Sequence, residues 1–389
     1  MPNSQFSKLG WIKPLSARNP YESHRAATPL ELLFDLIFVV AIATAGQQLH
    51  HSIIENHLSH GLVLYLVVFF AMWWAWMNFT WFASAYDNDD ALYRIMTFVQ
   101  ITGSLVAAAG IPRVFEHQNF DMIFIGYVIM RLALVTQWFR AAKHDPERRQ
   151  IALKYAFGII AVQILWLFFQ FSPIDFTIYL FALLALLELS IPVFAETKDM
   201  TPWHRHHIAE RYGLLTIIVL GESIIGCFAA ISDAMNNALF SKELWFLTAG
   251  GLLMMFTMWW AYFDHSVVEH LNSKKQTFIW GYGHFFIFVS IAALGAGLAA
   301  AVDVVAHKAE VSAEMVAYFI AISLVVYSAC LWLLQDIYHL SGFRKWIYPV
   351  SAAIVLSIPM YIHSLGYCIF AIAIVYALRL IFSKCFLAK

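Results

Sequence analysis

Apolar stretches long enough to cross the roughly 30 Å of hydrocarbon in a bilayer recur along this chain, separated by short polar breaks. Crossings are expected at about 30–50, 61–84, 92–112, 120–141, 151–171, 175–195, 208–231, 243–263, 278–302, 313–335, 346–363 and 366–386. In lipid, backbone amides must be satisfied within each crossing element, which leaves only helices or a closed barrel. A barrel would show alternation over ~10-residue segments, and none is visible. The fold class predicted is therefore an all-α integral membrane protein of about 12 transmembrane helices. Composition agrees, with 61% hydrophobic and 13% charged residues, about half the charged share of a soluble domain. The net charge of −1 excludes the basic footprint of a nucleic-acid partner. The expected partners are the lipid bilayer and a small solute or ion.

Loop charges orient the chain. With the N-terminus inside, inner segments hold 20 of the 24 Lys and Arg residues, among them Lys13, Arg18, Arg25, Arg140, Lys143, Arg148 and Arg149. Outer loops hold only Arg113, Lys242 and Lys308. By the positive-inside rule both termini are expected in the cytoplasm. The first 28 residues are polar, and the first apolar run opens with Pro29, Glu31 and Asp35. It is not expected to be a cleaved signal.

Met72-Trp-Trp-Ala-Trp76 recurs as Met258-Trp-Trp-Ala-Tyr262, and Gly103-SLVAAA-Gly110 faces Ser290-IAALGA-Gly297. Two successive crossings thus match at a separation of about 186 residues, close to half the chain. Self-similarity at a fixed offset is the mark of duplication. The expected organisation is a cytoplasmic tail (1–28), a first six-helix repeat (29–195), a cytoplasmic link (196–207) and a second six-helix repeat (208–389). Six crossings per half make the repeats parallel, as in transporters whose solute sits between the halves.

Ionisable residues inside the apolar runs are the candidate site. Glu31 and Asp35 are four apart, on one helix face. Glu188 lies in the sixth crossing, Glu222 in the seventh, Arg131 in the fourth and His284 in the ninth. Each such group costs at least about 2.5–3.5 kcal/mol at the bilayer centre, so several imply a shared interior. Arg131 is a counter-ion for Asp35, Glu188 or Glu222. Two readings stay open: a salt-bridge core that locks the helices, or a substrate or proton pathway.

Metal chemistry is weakly indicated. The acidic loop with Asp87 and Asp90 offers clustered carboxylates, and His50, His51, His57 and His60, like His204, His206 and His207, are grouped in polar breaks. HExxH, GxSxG, P-loop and GxGxxG patterns are absent. No cofactor and no enzymatic activity are expected. Cys227, Cys330, Cys368 and Cys385 lie within or at the ends of apolar runs without paired spacing, as small buried hydrophobes do.

Three stretches resemble the bacterial low temperature requirement A (LtrA) family. They are Thr28-PLELLFDLIF-Val39 with its Glu and Asp, Met130-Arg-Leu-Ala133 running into Arg140-AAKHD-Pro146, and His207-IAERYG-Leu214 leading to Ile218-VLGE-Ser223. The resemblance covers both halves and implies a multi-pass inner-membrane protein with no biochemical activity to carry over. It directs attention to Glu31, Asp35, Arg131, Glu222 and an inner-face motif of Glu210 and Arg211. The function expected is secondary transport of a small solute or ion, with proton coupling as one form of it, since buried acids can load and release protons. The alternatives are an ion channel lined by the first helix of each repeat, and a membrane-embedded enzyme or sensor acting on lipid.

Overall fold

The computed structural model describes residues 12–23, 25–171, 178–236, 241–264, 268, 271, 273–337 and 342–385, apart from a few side chains within these ranges. Its helices are α1 (Pro29–Ile54), α2 (Leu58–Tyr86), α3 (Ala91–His117), α4 (Asp121–His144), α5 (Arg149–Phe171), α6 (Ile178–Ala195), α7 (Arg205–Asn236), α8 (Lys242–Phe263), α9 (Lys274–Val305), α10 (Ala313–Leu331), α11 (Ile347–Tyr361) and α12 (Leu365–Cys385). No strand occurs among the described residues. Among the described residues, eleven helices are long and apolar enough to cross a membrane, α10 being extended by a π-helical turn, Trp332–Asp336. The eleventh expected crossing, at 346–363, is shorter than predicted. Helix α11 has 15 residues, about 22 Å at 1.5 Å per residue, below the roughly 30 Å of a bilayer core.

Several helices start earlier or end later than their apolar runs, because polar residues cap and extend them. At α1, the Thr28 backbone N–H donates to Glu31 (2.7 Å), and the Glu31 N–H donates to the Thr28 hydroxyl (3.3 Å). This reciprocal capping box, with Pro29 in the first turn, fixes where the helix begins. Asp90 caps α3 by accepting from the Tyr93 N–H, and Ser241, Ser273 and Ser312 cap α8, α9 and α10. Toward its end α1 continues past residue 50, so His50 and His51 are helical rather than loop residues. Helix α9 likewise runs on to Val305 and carries Asp303.

Contacts divide the chain into two compact units. The first comprises Met1–Ala41 and Ala71–Arg211; the second comprises Ile42–Phe70 and Tyr212–Lys389. In the first unit α3 packs on α4, α4 on α5 and α5 on α6. The α3–α4 crossing needs glycine: a Cβ on Gly126 would stand 2.5 Å from the Ala107 nitrogen and closer still to the Gly103 carbonyl oxygen. In lipid such close backbone approach supplies the van der Waals packing that hydrophobicity no longer drives.

In the second unit α8 packs on α12 and α9 on α10, with α11 against α10 and α12. The α8–α12 contact has the same character, since a Cβ on Gly250 would lie 2.8 Å from the Phe370 Cα. Helix α9 is the axis of this unit, with 89% of its most apolar window buried. Tyr65, from the α2 segment of the unit, donates its hydroxyl to the Val289 carbonyl of α9 at 2.7 Å. The π-helical turn ends at Asp336, which pairs with Arg379 of α12 at 3.1 Å.

Candidate functional site

Three helical segments of the first unit each present a pair of polar residues four apart. They are Glu31 and Asp35 on α1, Trp76 and Thr80 on α2, and His207 and Arg211 on α7. At 3.6 residues per turn each pair lies on one face, and the three faces converge. Glu31, Asp35, His207 and Arg211 are all fully buried. One Arg211 nitrogen donates to Asp35 Oδ1 at 2.5 Å and stands 3.4 Å from the Thr80 hydroxyl. Its other terminal nitrogen is 3.5 Å from Glu31 Oε1. The Trp76 indole N–H donates to the same Asp35 oxygen at 2.7 Å. His207 Nε2 lies 3.1 Å from Glu31 Oε1.

The cluster extends into the segment before α1. Arg25 donates to Glu31 Oε1 at 3.3 Å and lies 3.8 Å from Asp87 Oδ2. Three carboxylates (Glu31, Asp35, Asp87) therefore meet two guanidiniums (Arg25, Arg211) and one imidazole (His207). One proton, on the imidazole or on a carboxyl, decides whether the group is neutral. Glu210, on a neighbouring face of α7, is exposed and accepts from the Ala27 backbone N–H at 3.2 Å. It ties the segment before α1 to α7 and stands outside the buried cluster.

Arg131 finds Glu188. The ion pair is 2.9 Å long, both side chains are buried, and the Trp74 indole N–H donates to the same Glu188 oxygen at 2.9 Å. Arg131 also donates to the Tyr127 hydroxyl and lies over that ring, 4.6 Å from its centroid. Of the three acids open to Arg131 by sequence, the structure selects this one, and Asp35 takes Arg211 instead. The pair is a site of its own within the first unit.

The acidic segment before α3 is divided among separate cations. Asp90 receives two nitrogens of Arg140, one at 3.1 Å, together with the backbone N–H of Lys13 (2.7 Å) and of Tyr93 (2.8 Å). Burial works against its charged form, yet Arg140 and these two N–H groups hold its carboxyl below the usual carboxylate range. Asp89 pairs with Arg94 at 2.6 Å. Asp87 faces Arg25. Asp87 and Asp90 thus serve different ion pairs, and no group of three or more His, Cys, Asp or Glu able to hold a metal occurs among the described residues.

Asp87 lies between α2 and α3 and carries a pH dependence. Burial, then the nearby Glu31 charge, push its carboxyl up to about 6, against the pull of the Asp89 N–H and of Arg25. A carboxyl that binds its proton more tightly when folded stabilises the fold fully below pH ~4. That stabilisation is lost as pH rises through about 6. Asp87→Asn is expected to remove a fall of roughly 2–3 kcal/mol in unfolding free energy between pH 4 and pH 7. Denaturant titration in mixed micelles at a series of pH values measures it.

The second unit holds the remaining two candidates in different settings. His284 is fully buried and shared between two partners: Nδ1 sits 2.7 Å from the Trp280 carbonyl and Nε2 3.0 Å from the Tyr262 hydroxyl. Nδ1–H therefore donates and Nε2 accepts, which fixes a neutral tautomer. The rings of Trp280 and Tyr212 stand 4.2 and 4.9 Å from the imidazole centroid. His284 is a satisfied core residue in an aromatic nest. Glu222 instead lines a cavity of 430 Å³, with Gly46, Gln47 and His50 of α1, Ser223 beside it, and Asp303 of α9.

Sequence reasoning had assigned His207 and Arg25 no part in the cluster, and His50 and Asp303 no part in a cavity. The signal for His207 was its spacing of four from Arg211, matching that of Glu31 and Asp35. For His50 and Asp303 none was available, because the one lay at and the other just beyond an expected helix end.

A protein of Rhizobium meliloti (strain 1021) described as "Uncharacterized protein RA0937" is 24% identical to this chain, over 65% of the chain. The chain covers 64% of that relative's length. No solved structure matches the chain. Residues 26–382 match the profile of the family described as "Bacterial low temperature requirement A protein (LtrA)". Because that match runs from the buried charges of α1 through the cavity wall of α9 and almost to the end of α12, the chain belongs to the bacterial low temperature requirement A family.

Proposed function

We propose that this membrane protein is a secondary transporter of a small solute or ion, coupled to protons, that changes its solute in no covalent way and needs no cofactor. The observation that carries the reading is the buried cluster of Glu31, Asp35, Asp87, Arg25, Arg211 and His207. A purely structural core is best built from matched pairs, as at Arg131–Glu188. Here the carboxylates outnumber the guanidiniums, and Asp35 Oδ2 has no hydrogen-bond partner. Loss or gain of one proton changes the charge of a site sealed from water, where electrostatic effects are large. Such a change is able to shift the balance between two packings of the helices that supply it.

In this reading the chain lies in the bacterial cytoplasmic membrane with both termini in the cytoplasm. The basic loops set that orientation, and α11 counts as the twelfth crossing. The repeated motifs of α2–α3 and α8–α9 belong to two parallel six-helix halves. The test is flux in liposomes containing the purified protein, with and without a pH gradient. Asp35→Asn is expected to lower gradient-driven flux at least about tenfold, the equivalent of about 1.4 kcal/mol, and to flatten its pH dependence. Unchanged flux with unchanged pH dependence in that variant overturns proton coupling at this cluster. A linear, unsaturable current through the wild type replaces the transporter with a channel.

A further inference from the structure

The cavity of the second unit has a chemical signature distinct from the buried cluster of the first. Its polar lining consists of Glu222, Ser223, Gln47, His50 and Asp303, and the rest is Gly, Ala and Ile. His50 Nε2 is 2.7 Å from Asp303 Oδ2. Among the described residues no Lys, Arg, Phe, Tyr or Trp lines the space. With two carboxylates against at most one imidazolium, the lining stays negative whenever both acids are ionised. A negative cavity with hydrocarbon walls selects a cation that has a hydrocarbon body.

Three kinds of cation are separated by the lining. A divalent metal takes six or more oxygens, and no three metal-ligating side chains converge among the described residues. A quaternary ammonium is held best by aromatic faces, which the lining does not provide. A primary ammonium donates three hydrogen bonds and matches a carboxylate with polar neighbours. Shape adds a further constraint. Ser223, next to Glu222, packs on Gly295, where a Cβ would stand 2.5 Å from the Ser223 Cβ. Asp303 lies two turns further along α9, about 12 Å at 1.5 Å per residue. The two acids thus stand at different levels of one elongated space. Gly46 and Gly226 line it, and a Cβ at either would meet nothing within 4 Å.

We propose that this cavity binds a small linear aliphatic amine, with an ammonium group on Glu222 and the carbon chain running along the Gly and Ala wall toward Asp303. The assignment rests on the transporter reading only in treating this ligand as the solute carried. The chemistry of the cavity stands without it.

Equilibrium dialysis of the purified full-length protein in detergent against radiolabelled 1,4-diaminobutane tests the proposal. Unlabelled primary amines, tetramethylammonium, K⁺ and Mg²⁺ serve as competitors. The expected result is saturable binding displaced by primary amines and not by the other three. Affinity is expected to fall about tenfold or more in Glu222→Gln, which removes a charge-assisted hydrogen bond. It is expected to fall as far in Gly226→Leu, which fills the space and leaves every charge in place. Thermal unfolding without ligand confirms that at least one of these variants is folded before its affinity is read.

Absence of saturable diamine binding to the wild type overturns the proposal. So does unchanged affinity in a folded variant of either kind, or equal displacement by K⁺ or tetramethylammonium. Diamine binding without flux in liposomes overturns the transporter reading alone. Flux of another solute with no amine binding overturns the cavity assignment alone.

Discussion

Arg211→Met is expected to destabilise the protein by about 3–5 kcal/mol, because it leaves Asp35 as an uncompensated buried charge and takes one of two guanidiniums from Glu31. The guanidinium spans both acids, at 2.5 Å from Asp35 and 3.5 Å from Glu31. Trp76 and Thr80 are neutral, and Arg25 pairs with Glu31 and Asp87 rather than with Asp35. Arg211→Lys is expected to recover only part of the loss, since a single ammonium cannot present two nitrogens in a fixed fork. Denaturant titration in mixed micelles measures both variants. A loss below about 1 kcal/mol in Arg211→Met would mean that the two acids are not held as charges by this arginine.

Arg131→Met and Glu188→Met are each expected to cost about 3–5 kcal/mol, and the double variant is expected to recover most of it. Either single change leaves an uncompensated buried charge, whereas the double change leaves none. A residue of roughly 1–3 kcal/mol is expected to remain, because the Trp74 N–H and the Tyr127 hydroxyl lose their partner. The double variant also decides what the pair is for. Recovered stability with retained flux assigns it to helix locking. Recovered stability with lost flux places it on the pathway. Single losses that simply add in the double variant would show that the two side chains do not stabilise each other.

Helical class and most of the crossings were legible in the sequence, since lipid allows a long apolar run so few conformations. Helix ends were less legible. Polar residues such as His50 and Asp303 extended α1 and α9 past their apolar runs, and capping by Ser, Thr and Asp set the starts. The crossing expected at 346–363 overran α11 at both ends, since Trp346 closes a 3₁₀ turn, Gly342–Trp346, and Ile362 and His363 lie past the end of the helix. Among the candidate residues, depth in an apolar run identified Glu31, Asp35, Arg131 and Glu188 as buried charges. The same criterion gave His284 a weight that its two hydrogen bonds and aromatic neighbours do not support.

By itself, the sequence determines that this chain spans a membrane with helices, that it carries ionisable groups inside them, and that it belongs to its family. These follow from local physics and local motifs: hydrocarbon excludes unsatisfied backbone, and four-residue spacing sets one helical face. Which charge meets which was decided only by tertiary structure. Arg131 had three acids open to it by sequence and took Glu188, while Asp35 took Arg211, a residue 176 positions away. An ion pair depends on the approach of two helix faces to within hydrogen-bonding distance. That approach is set by glycines such as Gly126 and by the packing of whole helices, which no single apolar run contains.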